Sequence, residues 1–119
     1  MKKIKLVFIY FLLAMTIFAQ EGYIASFNTL RLGKSQKDYI LTAQALEMFD
    51  IAGLTEVMDA EGVEKLINAL EKVSGEKWDY HISPYPVGKN SYKEYFAYVW
   101  KKDKVEFLKE RGFYKDTEE

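Results

Sequence analysis

A chain of 119 residues can form one ordinary domain and is too short for two well-packed ones. Its 17 basic and 18 acidic side chains give a formal charge of -1, which excludes a polybasic surface gripping nucleic acid by charge alone. It has no cysteine, which excludes disulfides and thiolate metal sites, so the fold must be held by its core or by a partner.

Lys2, Lys3 and Lys5 precede an apolar run over 6–18 and a small residue, Ala19. This is the order of a secretory signal covering 1–19, with a cleavage point between Ala19 and Gln20 and a domain over 20–119. A membrane anchor is the alternative, but the run is short for a span of about 20 residues. The expectation is therefore export, secreted or periplasmic, with no stable membrane span after signal removal. The 100 residues that follow hold 14 basic and 18 acidic side chains, a charge of -4 with His81 neutral.

Residues 23–27 read as a strand with Asn28 at its end and Gly33 in the loop beyond. An amide there can donate to one oxygen while accepting elsewhere; it can also simply close the local turn. Tyr39, Leu41, Ala45, Met48 and Phe49 mark a helix over 35–49, with Ser35 and Asp38 as an N-terminal capping signal. Residues 50–57 read as a strand whose charged residue, Glu56, comes only at the end. A buried lone carboxylate is costly, so Glu56 either marks the strand's wet end or has a partner such as magnesium or calcium.

Asp59 caps a second helix to residue 73, whose Val63, Leu66, Ile67, Leu70 and Val73 form the clearest amphipathic pattern in the chain, and Ser74-Gly75 stops it. The alternation of strand and helix predicts right-handed crossovers and a mainly parallel sheet. A third strand is expected over 78–83. The single histidine, His81, lies within it and has no second histidine or cysteine for a zinc site, so packing or surface exposure is its expected role. Residues 89–100 join a polar turn to an apolar run that reads as a buried strand, with Gly88 permitting a tight approach before it. An antiparallel strand over 105–108 and a polar tail over 115–119 follow.

Three motifs in order, Ile24-Ala25-Ser26-Phe27-Asn28, then Asp50-Ile51-Ala52-Gly53-Leu54-Thr55-Glu56-Val57, then Gly88-Lys89-Asn90-Ser91-Tyr92-Lys93-Glu94, resemble the landmarks of the endonuclease/exonuclease/phosphatase superfamily. The Asn90 to Glu94 match is most similar to the pancreatic deoxyribonuclease branch. The resemblance covers nearly all of 20–119. It implies the amino-terminal half of a four-layer α/β/β/α sandwich, an α/β (α+β) fold with a mixed, mainly parallel sheet and flanking helices. It also implies a metal-dependent phosphodiesterase acting on DNA with Mg2+, Ca2+ and Mn2+ being possible substitutes. By the same resemblance Glu56 is the metal ligand, Asn28 organises the same centre, Glu94 supports a catalytic histidine, and Tyr92, Asn90 and Arg31 contact substrate. A carboxylate can fix a histidine's tautomer, and a tyrosine can bind a phosphate oxygen without reading a base.

The chain departs from the pattern at Met58, where the deoxyribonuclease branch has an arginine, and at Thr55, where glutamine is common. Nor does it supply the histidine that Glu94 would support, since His81 precedes that landmark. Hydrolysis needs a positioned base as well as a metal ligand, so little or no nuclease activity is expected of these residues alone. The expected partners are DNA or another phosphodiester in a completed site, and a complementary chain or second copy on a sheet face left without cover. The competing function is a non-enzymatic interaction module on a nuclease-derived scaffold.

Overall fold

A computed structural model of the protein describes residues 21–112; the expected signal over 1–19 and the tail over 115–119 lie outside the described residues. Four strands, β1 (Ile24–Leu32), β2 (Ile51–Val57), β3 (Trp78–Ile82) and β4 (Tyr95–Lys101), form one sheet in the order β1-β2-β4-β3. Two helices, α1 (Tyr39–Leu46) and α2 (Ala60–Ser74), pack into one apolar core with it. This is the α/β half-sandwich that the resemblance implies, with a mixed sheet.

Three of the four strands share one direction, as a mixed, mainly parallel sheet requires. β1 and β2 pair in parallel, while β4 pairs antiparallel with both β2 and β3. β1, β2 and β3 therefore run the same way, as crossover helices require, and β4 inserts against them. The link from β3 to β4 contains no helix, so the chain turns back beside β3 instead of crossing over.

α2 is long because its signals agree. Val63, Leu66 and Leu70 are wholly buried, and each such side chain contributes about 1.5–3 kcal/mol of burial. The Asp59 carboxylate accepts the Gly62 N–H at 2.8 Å to start it, and Gly75 at φ 70° ends it, its N–H donating to the Glu71 carbonyl. α1 is shorter than the expected 35–49. Asp38, not Ser35, caps it by accepting the Leu41 N–H at 2.9 Å. Ser35 is committed elsewhere, donating its hydroxyl to the Leu30 and Arg31 carbonyls at 2.8 and 3.1 Å.

The helix-facing side of the sheet carries Ala52, Leu54, Trp78, Ala97 and Val99, all at most 2% exposed. The apolar run in β4 is not buried on both sides, because Phe96 and Tyr98, pointing the other way, are 39% and 53% exposed. Residues 105–108 do not form the expected strand. Both edges of β4 are already occupied by β2 and β3, so no ladder position beside β4 remains for a strand that would fold back on it. The chain instead crosses the open sheet face, where Phe107 stacks on His81 at 4.6 Å and on Trp100 at 6.0 Å. Between this segment and the sheet lies a groove of about 500 Å³.

Candidate functional site

β1 and β2 run in parallel with Ile24 opposite Ile51 and Asn28 opposite Thr55, and beyond that pair the register breaks. The β2–β4 ladder breaks at the same level, between Leu54 and Val57. The irregularity lies where the two parallel strands end and β4 begins, a place where α/β sheets commonly bind ligands. Asn28, Glu56 and Glu94 all belong to this end of the sheet.

Four residues other than glycine have positive φ among the described residues: Leu30 at 51°, Arg31 at 66°, Glu56 at 55° and Asn90 at 59°. Three of them are expected site residues. Left-handed backbone is unfavourable for a side chain with a Cβ and persists where surrounding contacts enforce it. Asn28 supplies some of those contacts. Its amide Nδ2 donates to Glu56 Oε1 at 3.0 Å, and its Oδ1 accepts the Leu30 N–H at 2.9 Å. The two alternatives read for Asn28, a partner for an oxygen and a turn-closing side chain, are thus one arrangement.

Tyr92 and Glu94 approach from the loop before β4. Val87 and Glu94 exchange backbone hydrogen bonds of 2.8 Å in each direction, which fixes Glu94 at the strand entrance. Gly88 sits at φ 138°, and a Cβ there would run into the Tyr92 carbonyl oxygen, so the loop closes this tightly only on glycine. The Tyr92 hydroxyl donates to Glu94 Oε2 at 3.4 Å, a long bond. Partial screening from water, followed by the charges of Glu56 and Glu94, raises its pKa above the ordinary tyrosine value, and Arg31 opposes that shift. These four groups therefore share one electrostatic neighbourhood.

Arg31 and Asn90 are exposed. Met58 is 7% exposed, so the side chain standing in place of the branch's arginine turns into the protein and offers no phosphate contact. His81 lies elsewhere, its Nε2 3.4 Å from Glu110 and its ring on Phe107. Thr29 was not read from the sequence as part of the site. A β-branched residue inside a strand gives no signal of its own; the clue available was its place directly after Asn28.

Among the described residues no group of three or more His, Cys, Asp or Glu side chains can cage a metal. The site offers instead a carboxylate with one oxygen held by an amide, and a second carboxylate nearby. This donor set fits Mg2+ or Mn2+ in the manner of phosphate-handling sites, where one or two carboxylates serve and water or substrate oxygens fill the other positions. It does not fit a closed Ca2+ cage, which needs six to eight oxygens.

No family model matches the chain. It is 36% identical over 86 residues to a deoxyribonuclease of Thioalkalivibrio sp. (strain K90mix), a match that covers 71% of this chain and 24% of that protein. It is 32% identical over 99 residues to chicken deoxyribonuclease-1, covering 78% of this chain and 34% of the relative. Against human deoxyribonuclease-1 it is 34% identical over 90 residues, covering 69% and 31%. The chain thus spans about a quarter to a third of the length of the curated relatives it matches. Over that stretch, at moderate identity, it is homologous to the deoxyribonuclease-1 members of the endonuclease/exonuclease/phosphatase superfamily.

Proposed function

We propose that this chain supplies the amino-terminal portion of a metal-dependent phosphodiesterase of the deoxyribonuclease type, exported by the segment 1–19 and acting on DNA once its site is completed. The observation that carries this reading is the Asn28–Glu56 hydrogen bond at the paired ends of β1 and β2, with the Tyr92–Glu94 pair entering next to it where Tyr95 pairs with Val57. Asn28 holds Oε1, and Oε2 of Glu56 is the atom that would ligate Mg2+, with Mn2+ as a substitute. Such a cation, when bound, neutralises charge growing on the phosphoryl oxygens. Tyr92, whose hydroxyl keeps its proton at neutral pH as any tyrosine does, can donate its O–H to a phosphate oxygen after leaving Glu94. Arg31 and Asn90, both exposed, would bind phosphate without reading sequence. Glu94 would hold a histidine from outside these residues in the tautomer a general base needs.

The test is plasmid nicking with Mg2+. The chain alone is expected to be inactive. Joined to the part of the Thioalkalivibrio deoxyribonuclease beyond the matched stretch, it should nick, and Glu56→Gln in the fusion should reduce the rate at least about a hundredfold. A fusion that nicks equally well with glutamine at 56 would refute the assignment of Glu56.

A second reading has its own observation, the open sheet face. Ile24, Phe96 and Tyr98 on that face are 77%, 39% and 53% exposed. A module that binds a complementary chain or a second copy through this face would associate with or without EDTA, which light scattering would show.

A further inference from the structure

Thr29 is the residue whose contacts exceed what its place in a strand requires. It is 1% exposed, and its hydroxyl lies within hydrogen-bond distance of two consecutive carbonyls of the neighbouring strand, Thr55 at 2.8 Å and Glu56 at 3.0 Å. The same oxygen accepts the Leu32 N–H at 3.4 Å. One hydroxyl has one proton to give, so the two carbonyls share it.

Those two carbonyls bracket Glu56, one before its nitrogen and one after its Cα. In an extended strand successive carbonyls point to opposite sides, and a single hydroxyl cannot reach both. It can do so only where the residue between them leaves the extended conformation. Glu56, at φ 55°, has done so. The sheet gives no support at this point, since the β1 register is lost between Asn28 and Leu32 and the β4 register between Leu54 and Val57. The buried hydroxyl therefore replaces the missing ladder contacts.

We propose that Thr29 is a positioning residue of the Glu56 site: its hydroxyl pins the Thr55 and Glu56 carbonyls and so holds Glu56 in the left-handed conformation that presents its carboxylate to Asn28. The assignment rests on the reading of Glu56 as a cation ligand for its functional half. Its structural half is readable without any metal.

Thr29→Val keeps the shape and removes the hydroxyl, and Thr29→Ser keeps the hydroxyl. In metal-free solution, NMR of the full chain with Thr29→Val should show displaced Glu56 backbone carbon shifts and a displaced Asn28 side-chain amide, while the rest of the sheet is unmoved. Thr29→Ser should restore both. With Mn2+ as the probe, Thr29→Val should weaken binding about tenfold, the usual scale for losing a group that orients a ligand, and Thr29→Ser should recover it. Unchanged Glu56 and Asn28 signals in a folded Thr29→Val chain would overturn the proposal, and so would an equal loss of Mn2+ affinity in both variants. If wild type and Glu56→Gln bind Mn2+ equally, the metal reading fails and the functional half with it, while the NMR comparison still decides the structural half. Should Thr29→Val not fold, the wild-type chain decides: a slowly exchanging Thr29 hydroxyl proton with cross-peaks to Glu56 supports the role, and a freely exchanging one overturns it.

Discussion

Tyr92 reports on the site through its hydroxyl proton, because the groups around it act with opposite signs. Loss of water contact and the negative charges of Glu56 and Glu94 disfavour the phenolate, and Arg31 favours it. Ultraviolet titration of wild type minus Tyr92→Phe should therefore show Tyr92 ionising above the ordinary value of about 10. Glu94→Gln and Glu56→Gln should each lower that value, and Arg31→Met should raise it further. The shifts will be small, since Tyr92 is 46% exposed and water screens its neighbours. Tyr80 titrates high as well, chiefly through its 3.0 Å hydrogen bond to Glu64 and then through burial, so the subtraction is essential. For both tyrosines the folded chain keeps the proton longer than the unfolded one. Their contribution to stability is thus complete below pH about 10 and is lost as pH rises through the folded values. A difference titration at or below the ordinary value would mean that the two carboxylates do not face Tyr92 together.

At the scale of elements, the helix that contributes the largest share of the core also abuts the turn just after β1, the strand whose end carries Arg31. Asp59 caps α2 and its carboxylate lies against Gly33, whose φ of 100° and lack of a side chain allow the approach. Asp59→Ala should cost about 1 kcal/mol, read as a lower denaturant midpoint with unchanged slope. α2 and its Asp59 and Gly75 boundaries were legible because cap, apolar period and stop signal coincide in sequence. The strands 50–57 and 78–83 were legible within a residue or so for the same reason: each is an apolar run between turn residues. The start of α1 was not, since Ser35 and Asp38 are both competent caps and only the fold shows Ser35 bonded back to Leu30 and Arg31. Nor was the insertion of β4 between β2 and β3, because strand order depends on contacts distant in sequence. The pairing of Asn28 with Glu56 rested on resemblance. The left-handed turn of Glu56 had no sequence signal at all, as nothing in Thr55-Glu56-Val57 suggests positive φ.

At the scale of the whole molecule, the described residues cover one sheet face well and the other only in part. The segment after β4 lies over Trp100 and His81, leaving Ile24, Phe96 and Tyr98 in contact with water. Four strands about 4.8 Å apart and averaging about seven residues give a footprint of roughly 440 Å². A stable interface needs about 800 Å² from each partner, so this face alone cannot hold a tight dimer. A second sheet would have to pack about 10 Å above it, in space now taken by Phe107, so full covering requires the segment 105–112 to move. Self-association of the chain should accordingly be weak, with a dissociation constant of about 1 µM or higher, for which binding yields about 8 kcal/mol or less. Tyr98→Lys places a charge at the middle of the face and should abolish that association in sedimentation velocity, while leaving Mn2+ binding at the far end of the sheet unaltered. A tight dimer that survives this substitution would locate the self-association surface elsewhere, and the open face would then lose its claim as the surface through which a non-enzymatic module acts.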